Sequence, residues 1–282
     1  MTYVSASALR QAIEDRIRNS GTPDVGRLRR QLVFERILAR LVANKPGAWI
    51  LKGGVALELR MPTRARATRD LDLAITEEVA DVEALVEIVV EALAQDPSGD
   101  RFEFSVEKRF ELDPRQAGRR GWRLSVHADL DGRRFETIGI DVVVGTTELG
   151  RLERRRIVSS IALAGIEPFE ADFVDLDHHF AEKLAAYTAD HGDRENSRVK
   201  DLTDLVLFVE TGLEPTRRLR EVVDIVFAAR GETPPVEILP PPNSWTASYA
   251  AQAAEVRLSA STLPDAHRLV QEFWFASAEE IL

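Results

Sequence analysis

The chain has 282 residues, 44% of them hydrophobic and 30% charged, with 37 Lys and Arg against 47 Asp and Glu for a net charge of −10. That is enough for one large domain or two modest ones and excludes a small stapled scaffold. The absence of cysteine removes disulfides, thiolate metal sites and cysteine nucleophiles together. The acidic balance excludes a generally basic nucleic-acid coat and leaves only local contacts. No apolar run approaches the roughly 20 residues of a membrane span. The start, Met1-Thr-Tyr-Val-Ser-Ala-Ser-Ala-Leu-Arg10, has no signal-peptide pattern, so the expectation is a cytoplasmic protein with no membrane partner, monomeric by default.

In chain order, the pattern predicts helices over Ser7 to Asn19 and Val25 to Ala43, the second capped by Asp24. Ala48 to Leu51 reads as a short buried strand that runs into Lys52-Gly53-Gly54 and a helical stretch, Val55 to Arg60. After a loop from Met61 to Ala67, Thr68 to Ile75 alternates as a strand, and Glu77 to Gln95 has the period of an amphipathic helix. Phe102 to Arg109, Trp122 to Leu130 and Arg133 to Val144 read as strands, with Asp131-Gly132 a two-residue hairpin turn. Helices follow over Asp177 to Asp190 and Ser197 to Thr211, joined by a polar loop, Asp190 to Asn196. Beyond Pro234-Pro235 and Pro240-Pro241-Pro242, Trp245 to Leu258 and Asp265 to Leu282 also read as helical. The expected fold is α+β, divided near residue 165 into a mixed-sheet domain with N-terminal helices, 1–165, and a helical C-terminal domain, 166–282.

Three carboxylates stand out. Asp70 and Asp72 are spaced i, i+2 on one strand and therefore point the same way, about 7 Å apart. Asp141 lies between Ile140 and Val142, a charge inside an otherwise apolar strand. Like charges on such strands need compensation, which a hard divalent cation supplies. Three converging carboxylates would hold two Mg²⁺ ions, the arrangement for in-line phosphoryl or nucleotidyl transfer. Upstream, the amides of Lys52-Gly53-Gly54, between a strand and a helix, could cradle phosphates. Arg198, Asp201 and Asp204 recur at i, i+3, i+6, which suits an exposed ion-pair ladder as well as a site. Arginine clusters at Arg60, Arg64, Arg66 and Arg69, at Arg119, Arg120 and Arg123, at Arg133 and Arg134, and at Arg151 and Arg154 to Arg156 are either solvated faces or local RNA contacts. The histidines lack zinc-site spacing, and neither a nucleophile elbow nor a Walker A motif is present.

Lys52-Gly-Gly-Val-Ala-Leu-Glu-Leu-Arg60, Thr68-Arg-Asp-Leu-Asp-Leu73, Ile138-Gly-Ile-Asp141, Glu182-Lys183-Leu-Ala-Ala186 and Arg198-Val-Lys-Asp-Leu-Thr-Asp-Leu205 together resemble the DNA polymerase β-like nucleotidyltransferase superfamily. Within it the match is to the AbiEii/AbiGii-type toxins, the MenT-like group included. The resemblance implies a nucleotidyltransferase domain followed by an α-helical one, an NTP substrate, Mg²⁺ and a cognate antitoxin. It further implies RNA as acceptor, for MenT-like members the tRNA 3′ end. By position it makes Asp70, Asp72 and Asp141 metal ligands and catalytic and Gly53 and Gly54 the phosphate turn, while Lys52 and Thr68 beside these motifs and Arg198, a further cation for a triphosphate, are expected to bind the nucleotide. Lys183 matches the lysine that faces the triphosphate, and either Asp201 or Asp204 a further functional aspartate. The other readings are transfer to a protein or small-molecule hydroxyl, and a catalytically idle nucleotide-binding module.

Overall fold

A computed structural model describes residues 3–22, 24–113, 119–145, 150–190, 192 and 196–279. The chain forms two compact units, one of Met1–Leu59, Ala67–Thr146 and Glu153–Phe173, the other of Arg60–Arg66, Thr147–Leu152 and Val174–Leu282. Part of the polar loop between Asp190 and Asn196, and the last residues of the helix expected to reach Leu282, lie outside the described residues. Among the described residues no helix is long and apolar enough to cross a membrane.

The first unit opens with α1 (Ala6–Asn19) and α2 (Val25–Asn44), and Asp24 caps α2 as expected, accepting from the Arg27 amide at 2.8 Å. β1 (Trp49–Lys52) runs directly into α3 (Gly53–Arg60), and β2 (Asp70–Ile75) follows. α4 (Val82–Leu93) begins later than its apolar period suggests, because Asp81 accepts from the Ala84 amide at 2.9 Å and sets the start there. β3 (Glu103–Glu111), β4 (Gly121–Leu130) and β5 (Arg133–Val144) form an antiparallel meander, and β6 (Leu152–Ile157) and β7 (Phe169–Val174) complete the sheet. The β4–β5 turn is Asp131-Gly132, at φ of 57° and 64°, the left-handed pair that a type I′ hairpin requires.

The sheet is mixed, as the sequence predicts, with strand order β3-β4-β5-β2-β1-β7-β6. β2 pairs parallel with β5 and β1 parallel with β7, while β1 and β2 are antiparallel. Period-two alternation sends Leu71, Leu73, Ile138, Ile140, Val142, Leu124 and Val126 to one face. There they join Leu32, Ile37 and Leu41 of α2 and Leu85 and Val89 of α4 in one core. The opposite face of β2, β5 and β4 carries Asp70, Asp72, Asp141, Arg123 and Ser125. A buried ion pair ties α2 to the chain before β3: Arg40 donates to Asp100 at 2.7 and 2.6 Å.

The second unit is built from α5 (Leu176–Thr188), α6 (Val199–Glu210), α7 (Arg217–Ala229), α8 (Thr246–Glu255) and α9 (Leu263–Glu279). Its core includes Phe180, Phe208, Phe227, Tyr249 and Trp274, and the Phe180 ring lies 5.2 Å from that of Phe273. The proline-rich connector is tied down by its backbone: the Trp274 indole donates to the Pro235 carbonyl at 2.9 Å, and the Ile238 amide donates to Gln271 at 2.7 Å.

Candidate active site

Register assembles one charged rung from four strands. Lys52 of β1 pairs with Asp72 of β2, Asp72 with Asp141 of β5, and Asp141 with Arg123 of β4. Directly opposed residues on neighbouring strands share a face, so all four side chains leave the sheet on the face away from the core. Asp70 stands one step along the same face, opposite Gly139. That glycine is needed for space, because a Cβ there would lie 2.4 Å from a carboxylate oxygen of Asp70.

The glycine turn is built against the carboxylates. Gly53 has φ +60°, and a Cβ on it would sit 2.0 Å from Asp72 Oδ2. The Gly54 amide donates to Asp72 Oδ2 at 3.3 Å. Thr68 is buried behind the turn, its hydroxyl 2.7 Å from where a Gly54 Cβ would be, and it donates to the Asp70 carbonyl at 3.3 Å. Strand, turn and second strand therefore close on one another where the sequence places its Gly-Gly and Asp-x-Asp elements.

Arg123 is the residue sequence reasoning missed, having been grouped with Arg119 and Arg120 as a basic cluster. Its Nε and Nη2 donate to the two oxygens of Asp141, both at 2.5 Å, and Nη2 also lies 3.6 Å from Asp70. These bonds to Asp141 raise its pKa above the ordinary arginine value, with burial opposing and the charges of Asp141, Asp70 and Asp72 adding to the rise. Its neighbours go elsewhere: Arg119 donates to the Gly145 carbonyl, and Arg120 lies 4.8 Å over the Trp122 ring.

Three carboxylates face two cations in this group, an excess of one negative charge, and a guanidinium has already been drawn between Asp141 and Asp70. Among the described residues no three acidic or histidine side chains stand close enough together to hold a metal by themselves. Mg²⁺ does not ask for that, since it is bound through one or two carboxylates with waters and substrate phosphates rather than by an all-protein cage. The hard-oxygen donors, the acidic excess of the rung and the guanidinium already drawn to Asp141 and Asp70 fit a divalent cation delivered with a phosphate ligand.

The remaining expected residues form a separate cluster inside the second unit. Lys183 of α5 bonds Asp201 at 3.0 Å and Asp204 at 2.8 Å, both on α6. Arg66 donates to both oxygens of Asp204 at 3.0 and 2.9 Å, and Arg198 lies 3.8 Å from Asp201. Asp204 is 1% exposed and Asp201 and Lys183 are buried, so the exposed-ladder reading of this helix is wrong. Burial alone would depress Lys183, but Asp204 and Asp201 outweigh it and raise its pKa. Burial likewise works against Asp204, yet Lys183 and Arg66 bring its pKa below the usual carboxylate range. Three cations against two carboxylates leave this cluster one positive charge.

A strand and helix joined by a Gly-Gly turn, beside three carboxylates on the mutually parallel strands β2 and β5, is the arrangement expected from the sequence for nucleotidyl transfer. Residues 36–280 match the family described as "Nucleotidyl transferase AbiEii toxin, Type IV TA system". The chain belongs to this family of nucleotidyltransferase toxins and is an enzyme of that class. Membership implies an NTP substrate, an antitoxin partner and, as is typical of such enzymes, a divalent metal. Among solved structures, MenT4, a nucleotidyltransferase toxin from Mycobacterium tuberculosis H37Rv, shares the fold over 99% of both chains, with a TM-score of 0.53 and 19% identity. JHP933 from Helicobacter pylori matches 89% of this chain and 94% of its own, with a TM-score of 0.47 and 12% identity. No curated protein matches the chain.

Proposed function

We propose that this toxin transfers a nucleoside monophosphate from an NTP to the 3′-hydroxyl of RNA, the tRNA acceptor end, with Mg²⁺ as the metal, and that its cognate antitoxin restrains this activity. The observation that carries the transfer chemistry is the rung Lys52–Asp72–Asp141–Arg123 beside the Gly53-Gly54 turn. The RNA acceptor is supported by the resemblance of the motifs to MenT-like toxins.

In this reading the amides of the Gly53-Gly54 turn and the Lys52 ammonium receive phosphate oxygens, with Thr68 supporting the turn from behind. Asp70 and Asp72 would hold the metal, which would supply Lewis-acid stabilisation of charge on the phosphates. The acceptor oxygen forms a bond to the α-phosphorus as the bond from that phosphorus to the bridging oxygen breaks, releasing pyrophosphate. Asp141 takes the hydroxyl proton, and Arg123 holds its carboxylate in place by two parallel bonds. The Lys183–Asp201–Asp204–Arg66–Arg198 cluster, with its surplus positive charge, is assigned a role in nucleotide binding.

The test is incubation with Mg²⁺, total RNA, protein extract and each α-labelled NTP in turn. Nucleotidyl transfer leaves the α-label on the acceptor, whereas a kinase moves only the γ-phosphate. Label is expected on RNA of tRNA size, and should disappear after oxidation of the 3′-hydroxyl and in the Asp70→Ala protein. Label on polypeptide would replace RNA with a protein acceptor; retained NTP binding with no transferred label would make the chain an idle nucleotide-binding module.

A further inference from the structure

Beyond Arg123 the site rung has a fifth member. Along β3, Phe104 and Val106 pack on the core, and strict alternation would send Phe110 to that same face. The pairing slips instead: Lys108 is opposite core-facing Leu124, but Phe110 is opposite Arg123, with one extra residue between. This β-bulge turns Phe110 out of the core and onto the face of the carboxylates, the re-aiming that bulges perform beside active sites. There the ring is 57% exposed, with the Arg123 guanidinium 5.8 Å from its centroid. The order across the sheet is Phe110, Arg123, Asp141, Asp72, Lys52.

That order separates the two substrates. The phosphate-receiving turn at Gly53 and Gly54 adjoins the Lys52–Asp72 end, and Asp141, the acceptor of the hydroxyl proton, lies in the middle. The acceptor strand therefore approaches from the β4–β3 end, where Phe110 stands two strands, or about 10 Å, from Asp141. An exposed aromatic ring backed by a guanidinium is a surface on which any base can stack, since every base offers a π-face. We infer that Phe110 and Arg123 form the stacking platform for a nucleobase of the single-stranded acceptor RNA next to its reacting 3′ end. The inference rests on the RNA-acceptor reading above.

Two measurements test it. With wild type transferring to RNA, Phe110→Ala should raise KM for RNA by about fivefold or more, from the loss of one stacked base, with KM for NTP unchanged and with recovery in Phe110→Tyr. Independently, the added tryptophan of Phe110→Trp should be quenched by a short single-stranded RNA in the absence of metal and NTP, beyond any change in the protein's own tryptophans. If wild type labels RNA and Phe110→Ala does so with unchanged KM, the platform is overturned and the transfer reading stands. If wild type labels no RNA, the transfer reading falls and the acceptor platform falls with it, and RNA-dependent quenching would then report only a single-stranded RNA surface without a reacting end. Loss of antitoxin inhibition in Phe110→Ala with RNA binding unchanged would mark a protein-docking point and also overturn it.

Discussion

Removing Lys183 should damage the fold as well as any activity, and the damage has a defined size. Lys183 makes two charge-assisted contacts, to Asp201 at 3.0 Å and Asp204 at 2.8 Å, where its side chain is 11% exposed and that of Asp204 only 1%. Deleting one partner of a buried ion pair costs about 3–5 kcal/mol, because the other charge is left without compensation. Arg66 stays on both oxygens of Asp204, so Lys183→Met belongs at the low end, about 3 kcal/mol. A cycle of Lys183→Met, Asp204→Leu and the double variant gives the pair's coupling as the double's loss minus the sum of the two single losses. The pH dependence follows from the direction of the shift. Asp204 titrates below its ordinary value, so its contribution is present above the unfolded carboxylate range near pH 4 and is lost as pH falls through the folded pKa. Lys183 titrates above its ordinary value, so its share is complete below about pH 10 and is lost at higher pH. Urea unfolding of wild type and Lys183→Met across pH 3 to 9 should therefore show the widest gap near neutrality and a narrowing gap in acid. A gap under about 1 kcal/mol at pH 7 would refute the buried network.

Gly139→Ala places a Cβ 2.4 Å from the Asp70 carboxylate, the free end of a side chain that can turn aside, so transfer should fall steeply while the melting temperature holds. A matched loss of melting temperature would show that the backbone, not Asp70, had moved. Asp70→Ala and Asp141→Asn should both abolish transfer but differ in stability, as thermal melting will show. Asp70 is 3.6 Å from Arg123 and its side chain is 42% exposed, so its loss should change stability by less than about 0.5 kcal/mol. Asp141→Asn weakens a bidentate pair one-third exposed on the arginine side, costing about 1 kcal/mol after solvent screening. Equal stability in the two variants would contradict the pairing of Arg123 with Asp141.

Much of the fold is legible in the sequence because it is local. Gly-Gly between a strand and a helix, Asp-x-Asp on an alternating strand and Asp-Gly in a hairpin each act within a few residues, and each is where the sequence places it. α7 was equally legible, with Leu219, Val223, Val226 and Phe227 at helical spacing, yet it was not among the predicted elements. β6 was not legible: Leu152-Glu-Arg-Arg-Arg-Ile157 is an edge strand whose residues are mostly exposed, so no apolar alternation announces it. The convergence of Lys183 and Arg66 on Asp204 was hidden for another reason, since it joins a loop to two helices far along the chain.

Arg123 shows most clearly where reading from sequence stops. The Asp131-Gly132 turn pairs Leu130 with Arg133, and counting back in strict register from there sets Arg123 opposite Ile140, not Asp141. A shift between Ala128 and Asp129 moves the pairing by one residue and aligns Arg123 with Asp141. The cause is Phe135, which falls between the paired Arg134 and Glu136 and is held in the core against Phe102 at 5.2 Å, with the Arg29 guanidinium 4.2 Å from its ring. A second shift in β3 brings Phe110 onto the same rung. Bulges of this kind are set by how a side chain fits a core assembled from distant segments, and neither Phe135 nor Phe110 carries a local mark of it. The carboxylates of the site could be found by period alone, but the groups that face them depend on two single-residue insertions that only the packed core specifies.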